Sequence, residues 1–265
     1  MKNILSFLVT TILLSQINLN AQWSLVNTPP NFAYAVLQDV RFSDQSTGFI
    51  VGNNGIIFRT TDGGNIWDYL PSGTNNDLHS IYFINSDTGF VCGSSGTVLK
   101  TMNAGNSWTN TNLYYNFSSI YFSNQNTGFL IGSYVSLGNE FPIFFKTTNE
   151  GNDWLPMNVS GISIPTAVFF VDSNVGYILG LDNQVTKTTN GGNSWITLPP
   201  PGVYSASDIF FSSVDTGYIF AGGELVGYNY GTIKKTTDGG MTWITKLILS
   251  SYINSSLMKG NFINN

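Results

Sequence analysis

The segment Lys187-Thr-Thr-Asn-Gly-Gly-Asn-Ser-Trp195 decides how this chain folds, because closely related segments occur at four other places. Each copy begins with a basic residue, passes through a polar, Gly-rich turn and ends in tryptophan. The other copies begin at Arg59, Lys100, Lys146 and Lys235. Successive tryptophans are 41, 46, 41 and 48 residues apart. A repeat of roughly 40 residues, with short apolar segments and Gly-rich turns, predicts a β-propeller.

A second motif precedes each of these segments. It consists of an apolar residue, any residue and Phe, then a polar turn, then Gly and an aromatic residue. Its copies begin at Val40, Ile81, Ile120, Val168 and Ile209. Asn and Asp in the turn favour a β-hairpin, and the late glycine is expected to take a positive φ.

Together the two motifs predict a blade of four strands. The first strand should line the central channel and the fourth should lie on the rim. In the second repeat the four strands are expected near His79–Asn85, Thr88–Gly93, Thr97–Thr101 and Ser107–Asn112.

The Trp-terminated segment resembles the Asp-box, or BNR, repeat of sialidases and of propellers like the photosystem II stability/assembly factors. The resemblance covers residues 22–265. It implies an all-β propeller of four-stranded antiparallel blades, with five complete repeats and partial terminal strands of an incomplete six- or seven-bladed ring. Asp-boxes occur in enzymes and in binding proteins, so the resemblance implies a fold and not an activity.

The box residues themselves are interpreted as structural. The fourth position is Asp in two copies and Asn in three, an exchange that an Asx turn tolerates but a metal ligand or catalytic carboxylate does not. The tryptophan is expected to pack against its own blade. These box positions are Asp62, Trp67, Asn103, Trp108, Asn149, Trp154, Asn190, Trp195, Asp238 and Trp243.

Composition excludes some partners and suggests a compartment. Charged residues make up only 9% of the 265 residues and the net charge is −5, which disfavours binding to nucleic acid or to an anionic membrane surface. Residues 1–21 have the pattern of a secretory signal peptide, so we expect an exported protein that is periplasmic, extracellular or on the cell surface. No later segment is apolar enough to span a membrane, and Cys92 has no partner for an intrachain disulfide.

The two ends of the chain suggest an unfinished ring. Trp23 begins a strand of the rim type, and a sixth repeat begins near residue 256 and is cut off. We expect a truncated chain, and the alternative is a natural open propeller that a partner completes.

Two repeats carry a longer connection between their second and third strands. Both insertions should lie on the face opposite the Asp-boxes, together with the links between blades. A rigid scaffold with aromatic loops on one face predicts a ligand-binding surface. Its candidate residues are Tyr134, Glu140, Phe141, Glu224, Tyr228, Tyr230, Tyr34, Tyr115 and His79.

The sequence gives little support for catalysis. Sialidases hold the substrate carboxylate with three arginines, and this chain has only Arg41 and Arg59. Asp39 and Asp208 occupy the same register in two repeats and are the weak candidates for a glycosidase acid and base. With one histidine, His79, no metal site and no cofactor are expected.

The sequence therefore favours an exported, non-catalytic scaffold that binds an unidentified protein or polysaccharide through its loop-extended face. One alternative is a carbohydrate-active hydrolase on the same fold. Another is that the propeller is part of a larger secreted or surface protein.

Overall fold

The computed structural model describes residues 35–203, 205–225 and 228–251, and these residues form strands joined by turns, with a 3-10 helix at Asn53–Gly55. The predicted signal peptide, the strand at Trp23 and the start of a sixth repeat lie outside the described residues. The strands of the described part are β1 (Leu37–Phe42), β2 (Gly48–Gly52), β3 (Ile56–Thr60), β4 (Asp68–Pro71), β5 (Leu78–Phe83), β6 (Gly89–Gly93), β7 (Val98–Thr101), β8 (Thr109–Asn110), β9 (Asn116–Phe122), β10 (Gly128–Ser136), β11 (Asn139–Thr147), β12 (Leu155–Pro156), β13 (Pro165–Phe170), β14 (Gly176–Gly180), β15 (Val185–Thr188), β16 (Ile196–Thr197), β17 (Ala206–Phe211), β18 (Gly217–Leu225), β19 (Tyr228–Thr236) and β20 (Ile244–Ser251).

These strands form five four-stranded antiparallel sheets, each built from consecutive strands in sequence order. The inner strands β1, β5, β9, β13 and β17 lie side by side in that order. This confirms the predicted all-β propeller with one blade per repeat. In the second blade the strand bounds differ from the predicted ones by two residues or fewer at each end.

The glycine that opens each second strand has a role that the sequence did not predict. Gly89 does not adopt a positive φ. Instead, a Cβ atom at Gly89 would lie 2.6 Å from Cε1 of Phe83. Glycine is needed here because the ring of the inner-strand phenylalanine packs directly on the backbone, and the same contact recurs in the other four blades.

The core consists of apolar clusters between adjacent blades. Between the first two blades, Phe49 of β2 stacks on Phe83 of β5 with ring centroids 4.2 Å apart. The other buried members of this cluster are Val51, Ile57, Leu78, Ile81, Val91 and Leu99. Equivalent clusters join the second blade to the third, the third to the fourth and the fourth to the fifth. The blades are therefore held together mainly by burial of apolar surface.

Each Asp-box is organised around its first threonine, which the sequence did not single out. The Oγ1 atom of Thr147 donates to Oδ1 of Asn149 at 2.9 Å and accepts from the Gly151 amide at 3.0 Å. Asn149 Oδ1 in turn accepts from the Asp153 amide at 3.0 Å. The same hydroxyl contacts recur in all five boxes, and each of these threonines is buried.

The box tryptophan packs edge-on against the inner-strand phenylalanine of its own blade. Trp154 and Phe122 have ring centroids 5.9 Å apart at an interplanar angle of 77°. The pair recurs in every described blade. The box therefore fixes the third and fourth strands against the first strand.

The direction of the strands assigns the connections to two faces. The strands within each blade alternate in direction, so the Asp-boxes lie on the same face as the turns that join the first and second strands. Accordingly, the Gly63 amide in the first box donates to the Ser46 carbonyl in such a turn, at 2.8 Å. The connections between second and third strands, and the links between blades, lie on the opposite face.

Candidate functional site

Both predicted insertions are β-hairpins that extend beyond the other blades. In the third blade β10 and β11 pair in register from Gly128↔Thr147 to Ser136↔Asn139. Leu137 and Gly138 form the turn, with φ values of 50° and 77°. This third-blade hairpin (residues 128–147) is a continuous two-stranded extension and not an irregular loop, which gives its side chains fixed positions.

Three predicted residues meet on this hairpin. Tyr134 and Phe141 are directly opposite each other, and their rings stack with centroids 5.4 Å apart. Tyr115, from the link before β9, lies 5.6 Å from Tyr134 and 5.8 Å from Phe145. Tyr134 is 37% exposed and Phe141 41% exposed. We call Tyr115, Tyr134, Phe141 and Phe145 the aromatic cluster, and it presents ring faces and edges to solvent from a rigid support.

A groove of about 330 Å³ borders the aromatic cluster. Its walls include Tyr115 and Phe145 on one side and Met157 and Val159 on the other. The groove exists because β12 is only two residues long and pairs with Phe145 and Lys146, which leaves residues 139–143 of β11 paired with β10 alone among the described strands. Asn158 and Ser160 add polar groups to the lining of the groove. A groove of mixed character beside exposed rings can accommodate an extended segment of a ligand.

The structure describes the remaining predicted residues of this face to different extents. Glu140 accepts a short hydrogen bond from the Ser133 hydroxyl within the third-blade hairpin. The backbone places Glu224, Tyr228 and Tyr230 in a second extended hairpin, formed by β18 and β19 in the fifth blade. Tyr34 lies outside the described residues.

His79 lies at an inter-blade contact near the channel. Its Nδ1 is 2.8 Å from the Phe117 carbonyl oxygen, and because a carbonyl only accepts, Nδ1 carries the proton. Nε2 accepts from the Ser94 hydroxyl at 3.3 Å. Both ring nitrogens therefore have protein partners, and the bond to Phe117 joins the second blade to the third.

The two candidate acidic residues line one central cavity of about 390 Å³, together with residues of all five inner strands. Oδ2 of Asp39 accepts from the Ser80 hydroxyl and from the Ile81 amide, both at 3.0 Å. Asp39 thus links the first inner strand to the second, and Asp208 has contacts of its own. These bonds give Asp39 a structural role that does not require catalysis.

The wall of the same cavity carries a row of aromatic rings from consecutive inner strands. The Arg41 guanidinium lies over the Tyr82 ring, 4.6 Å from its centroid. Tyr82, Tyr121 and Phe169 follow at centroid distances of 4.9 and 5.4 Å. Burial raises the pKa of the Tyr121 hydroxyl, which donates to the Phe170 carbonyl at 2.8 Å. The rings pack on each other and stabilise the channel wall.

Sequence reasoning missed two exposed apolar residues near the aromatic cluster. Leu137 at the hairpin tip is 99% exposed and Val135 is 67% exposed. The length of the insertion indicated only that the connection between the second and third strands is longer in this blade. The outward orientation of Val135 and Leu137 depends on the register of β10 with β11, which the sequence alone did not give.

Among the described residues, no helix is long and apolar enough to cross a membrane. That part of the chain also holds no group of three or more His, Cys, Asp or Glu side chains suited to a metal ion.

Known proteins share this architecture. The sequence profile of the family described as photosynthesis system II assembly factor YCF48 matches residues 15–115, which is less than half of the chain. Among curated proteins no sequence matches. Solved structures do match, at sequence identities that establish the fold alone.

Three solved structures illustrate the match. "YCF48 bound to D1 peptide" is 15% identical with a TM-score of 0.54, over 80% of each chain. YCF48 from Cyanidioschyzon merolae is 16% identical with a TM-score of 0.58, over 84% of this chain and 88% of that one. An ancestral GH74 enzyme is 20% identical with a TM-score of 0.66, but the match spans only 33% of the enzyme. The chain is thus an Asp-box repeat β-propeller that resembles the YCF48-type photosystem II assembly factors.

Proposed function

We propose that this protein is a non-catalytic scaffold that binds a protein ligand, through an extended peptide segment, on the aromatic cluster and its groove. The observation that carries the proposal is the stacked pair of Tyr134 and Phe141, held about 40% exposed on a rigid hairpin. Tyrosine and other aromatic residues dominate the energetics of protein interfaces because they bury large area at small conformational cost.

The lining of the groove and the fold support a peptide ligand. Met157 in the groove can adapt to different apolar side chains. A propeller of the same fold is described as bound to a peptide. Polysaccharide binding is the competing proposal for the same surface, since aromatic rings also stack on sugars.

A displayed random-peptide library provides a ligand for the test. Calorimetry then measures the affinity of the enriched peptides for the unchanged protein and for the double variant Tyr134→Ser/Phe141→Ser. Loss of two interface aromatics should weaken binding by roughly tenfold or more. The matched control is Ile66→Ser/Met102→Ser, which removes two exposed apolar side chains from Asp-boxes on the opposite face.

Two results would count against the proposal. Peptides that bind the hairpin variant as well as the unchanged protein would move the site elsewhere. A library that yields no binder, together with retention on a panel of soluble polysaccharides that the hairpin variant loses, would assign the surface to carbohydrate.

We also propose that the protein acts outside the cytoplasm, on the basis of the signal-like residues 1–21. The mass of the protein recovered from its own cells tests this. A chain beginning at Gln22 is expected, and a chain retaining Met1 in the cytoplasmic fraction would contradict export.

A further inference from the structure

The two extended hairpins differ in what covers their outer edge. Each of the strands β10, β11, β18 and β19 is nine residues long. In the fifth blade, β20 pairs with β19 as far as Asn229↔Ser251, so that hairpin has a third strand along its edge. In the third blade, the two-residue β12 pairs only with the other end of β11. Among the described strands, residues 139–143 of β11 therefore pair with β10 alone.

The chain that follows β12 leaves this edge. The Met157 amide still donates to the Phe144 carbonyl at 2.9 Å. Soon afterwards the chain reaches the fourth blade, where Gly161 lies so close to Thr197 that a Cβ atom would not fit. The groove beside the aromatic cluster lies between β11 and residues 156–160. The segment that could have continued β12 is thus directed away from the hairpin.

Strand geometry determines which backbone groups face outward from this edge. A strand residue directs its N–H and C=O to one side, and successive residues alternate. Because the Phe144 carbonyl faces outward and the β10–β11 register is uninterrupted, the backbone groups of Pro142 and Glu140 also face outward. Pro142 has no N–H, so the edge offers two acceptors and one donor, the Glu140 amide. Glu140 is exposed, as are its neighbours Asn139 and Phe141.

The side chains beside this edge place an apolar surface next to the backbone groups. Phe141, Ile143 and Phe145 alternate with the outward-facing residues and share one face of the hairpin. Phe141 and Phe145 belong to the aromatic cluster, and Ile143 and Phe145 line the groove. An extended chain lying along β11 would therefore have every second side chain beside this face.

We propose that the peptide ligand binds as an added antiparallel strand on residues 139–143 of β11, an inference that rests on the proposed function. One ligand residue donates to the Glu140 carbonyl and accepts from the Glu140 amide. The ligand residue two positions earlier donates to the Pro142 carbonyl, and alternate ligand side chains pack on Phe141 and Ile143. The ligand thus supplies the third strand that β20 supplies in the fifth blade, which is recognition by β-strand addition.

An extended peptide fits this edge better than a polysaccharide or a second copy of the chain. Its amides recur on one side roughly every 7 Å, which matches the spacing of outward carbonyls on β11, whereas a sugar chain has no such row. Two copies would pair poorly. Glu140 opposite Glu140 brings two carboxylates together, and Glu140 opposite Pro142 leaves the Glu140 carbonyl without a donor.

Backbone methylation of a library peptide tests the pairing. The probe is the tightest-binding peptide from the library screen, with one methyl group placed on each amide nitrogen in turn. Each methyl group removes one donor and leaves the side chain in place. By calorimetry, methylation at two positions separated by one residue should weaken binding at least about tenfold, and methylation of the residue between them should have little effect.

Two variants at Glu140 test the protein side. Glu140→Pro removes the outward amide and Glu140→Ala retains it, while both lose the carboxylate and its bond from Ser133. Proline is tolerated on an edge where the N–H faces outward, so similar urea midpoints are expected. Glu140→Pro should bind the peptide at least about tenfold more weakly than Glu140→Ala. The methylation scan uses the unchanged protein and does not depend on the folding of either variant.

Hydrogen exchange shows whether the edge is free before the peptide binds. In the free protein the Glu140 amide should exchange faster than the Phe141 amide, which faces β10. With saturating peptide, exchange of the Glu140 amide should slow at least about tenfold.

Several results would overturn the inference. Binding that Tyr134→Ser/Phe141→Ser abolishes but methylation leaves unchanged would keep the proposed function and reject strand addition. Equal binding by Glu140→Pro and Glu140→Ala would do the same. A Glu140 amide already protected in the free protein would mean that the chain itself covers the edge, or a second copy if protection falls on dilution. A library without binders would reject the proposed function as well.

Discussion

The Nζ atom of Lys100 lies 2.9 Å from Oδ1 of Asn152 in the following blade, and 2.8 Å from the Glu150 carbonyl oxygen. Both residues belong to Asp-boxes, so the start of one box is tied to the turn of the next. Burial lowers the pKa of Lys100, which is expected for an ammonium group held against a neighbouring blade. The recurring pattern of the repeat therefore specifies the contact between blades as well as the fold within each blade.

Replacing Lys100 should destabilise the propeller. Lys100→Met keeps the aliphatic stem but removes the donor to two oxygen atoms, so we expect a loss of about 1–2 kcal/mol in the free energy of unfolding. Urea unfolding followed by tryptophan fluorescence measures it. Lys235→Met is the matched control, since the described contact of Lys235 is with the Tyr218 ring in its own blade. Equal losses from both variants would refute the inter-blade role.

The buried box threonine should matter more than its exposed neighbour. Thr147→Val preserves shape but removes the hydroxyl that bonds Asn149 and the Gly151 amide, and the expected cost is about 1–3 kcal/mol. Thr148→Val changes an exposed threonine in the same box and should cost far less. The midpoints of thermal unfolding of the two variants give the comparison, and similar shifts would argue against the hydroxyl as the centre of the turn.

The acidic boxes should make stability depend on pH. Hydrogen bonds, first from Thr242, lower the pKa of Asp238 from 3.8 to about 2, and the Ile66 amide is the main group that lowers the pKa of Asp62. A carboxyl with a lowered folded-state pKa stabilises the fold above its unfolded pKa, and this contribution is lost as pH falls through about 2.

Asparagine already occupies the same position in three boxes, which makes a mild substitution possible. Asp62→Asn/Asp238→Asn should fold normally at neutral pH and lose less stability than the unchanged protein between pH 4 and pH 2. Urea midpoints across this range provide the measurement. A variant with an unchanged acid slope would contradict the lowered pKa values.

Asp39 is expected to stabilise the wall of the central channel and to take no part in catalysis. Asp39→Asn can still accept from Ser80 and Ile81, so we expect a loss of roughly 1 kcal/mol or less in unfolding free energy. We expect no change in reducing-sugar release from a broad polysaccharide panel. Sugar release by the unchanged protein that Asp39→Asn abolishes would establish the hydrolase alternative instead.

Several parts of the site were predictable because they depend on local pattern. The longer spacing between Gly132 and Lys146 predicted an insertion. Because consecutive strands of a blade alternate in direction, the insertion was predicted on the face opposite the boxes. The stacking of Tyr134 on Phe141 was not predictable, because a shift of one residue in the β10–β11 register would place the two rings on different faces. The hydrogen bond between His79 and the Phe117 carbonyl was also not predictable from the sequence, because Phe117 lies in another blade.

By itself the sequence determined the repeat, the four strands of each blade and the class of fold, because turn chemistry and alternating apolar residues act over short distances along the chain. Only the tertiary structure decided what each blade presents to its neighbours. The contact of Lys100 with Asn152 joins residues that are 52 positions apart in the sequence. Val40 is exposed where Ile81 is buried, and this difference depends on what lies beside each blade. Such relations depend on how the sheets are arranged in space, which the local pattern of one repeat does not record.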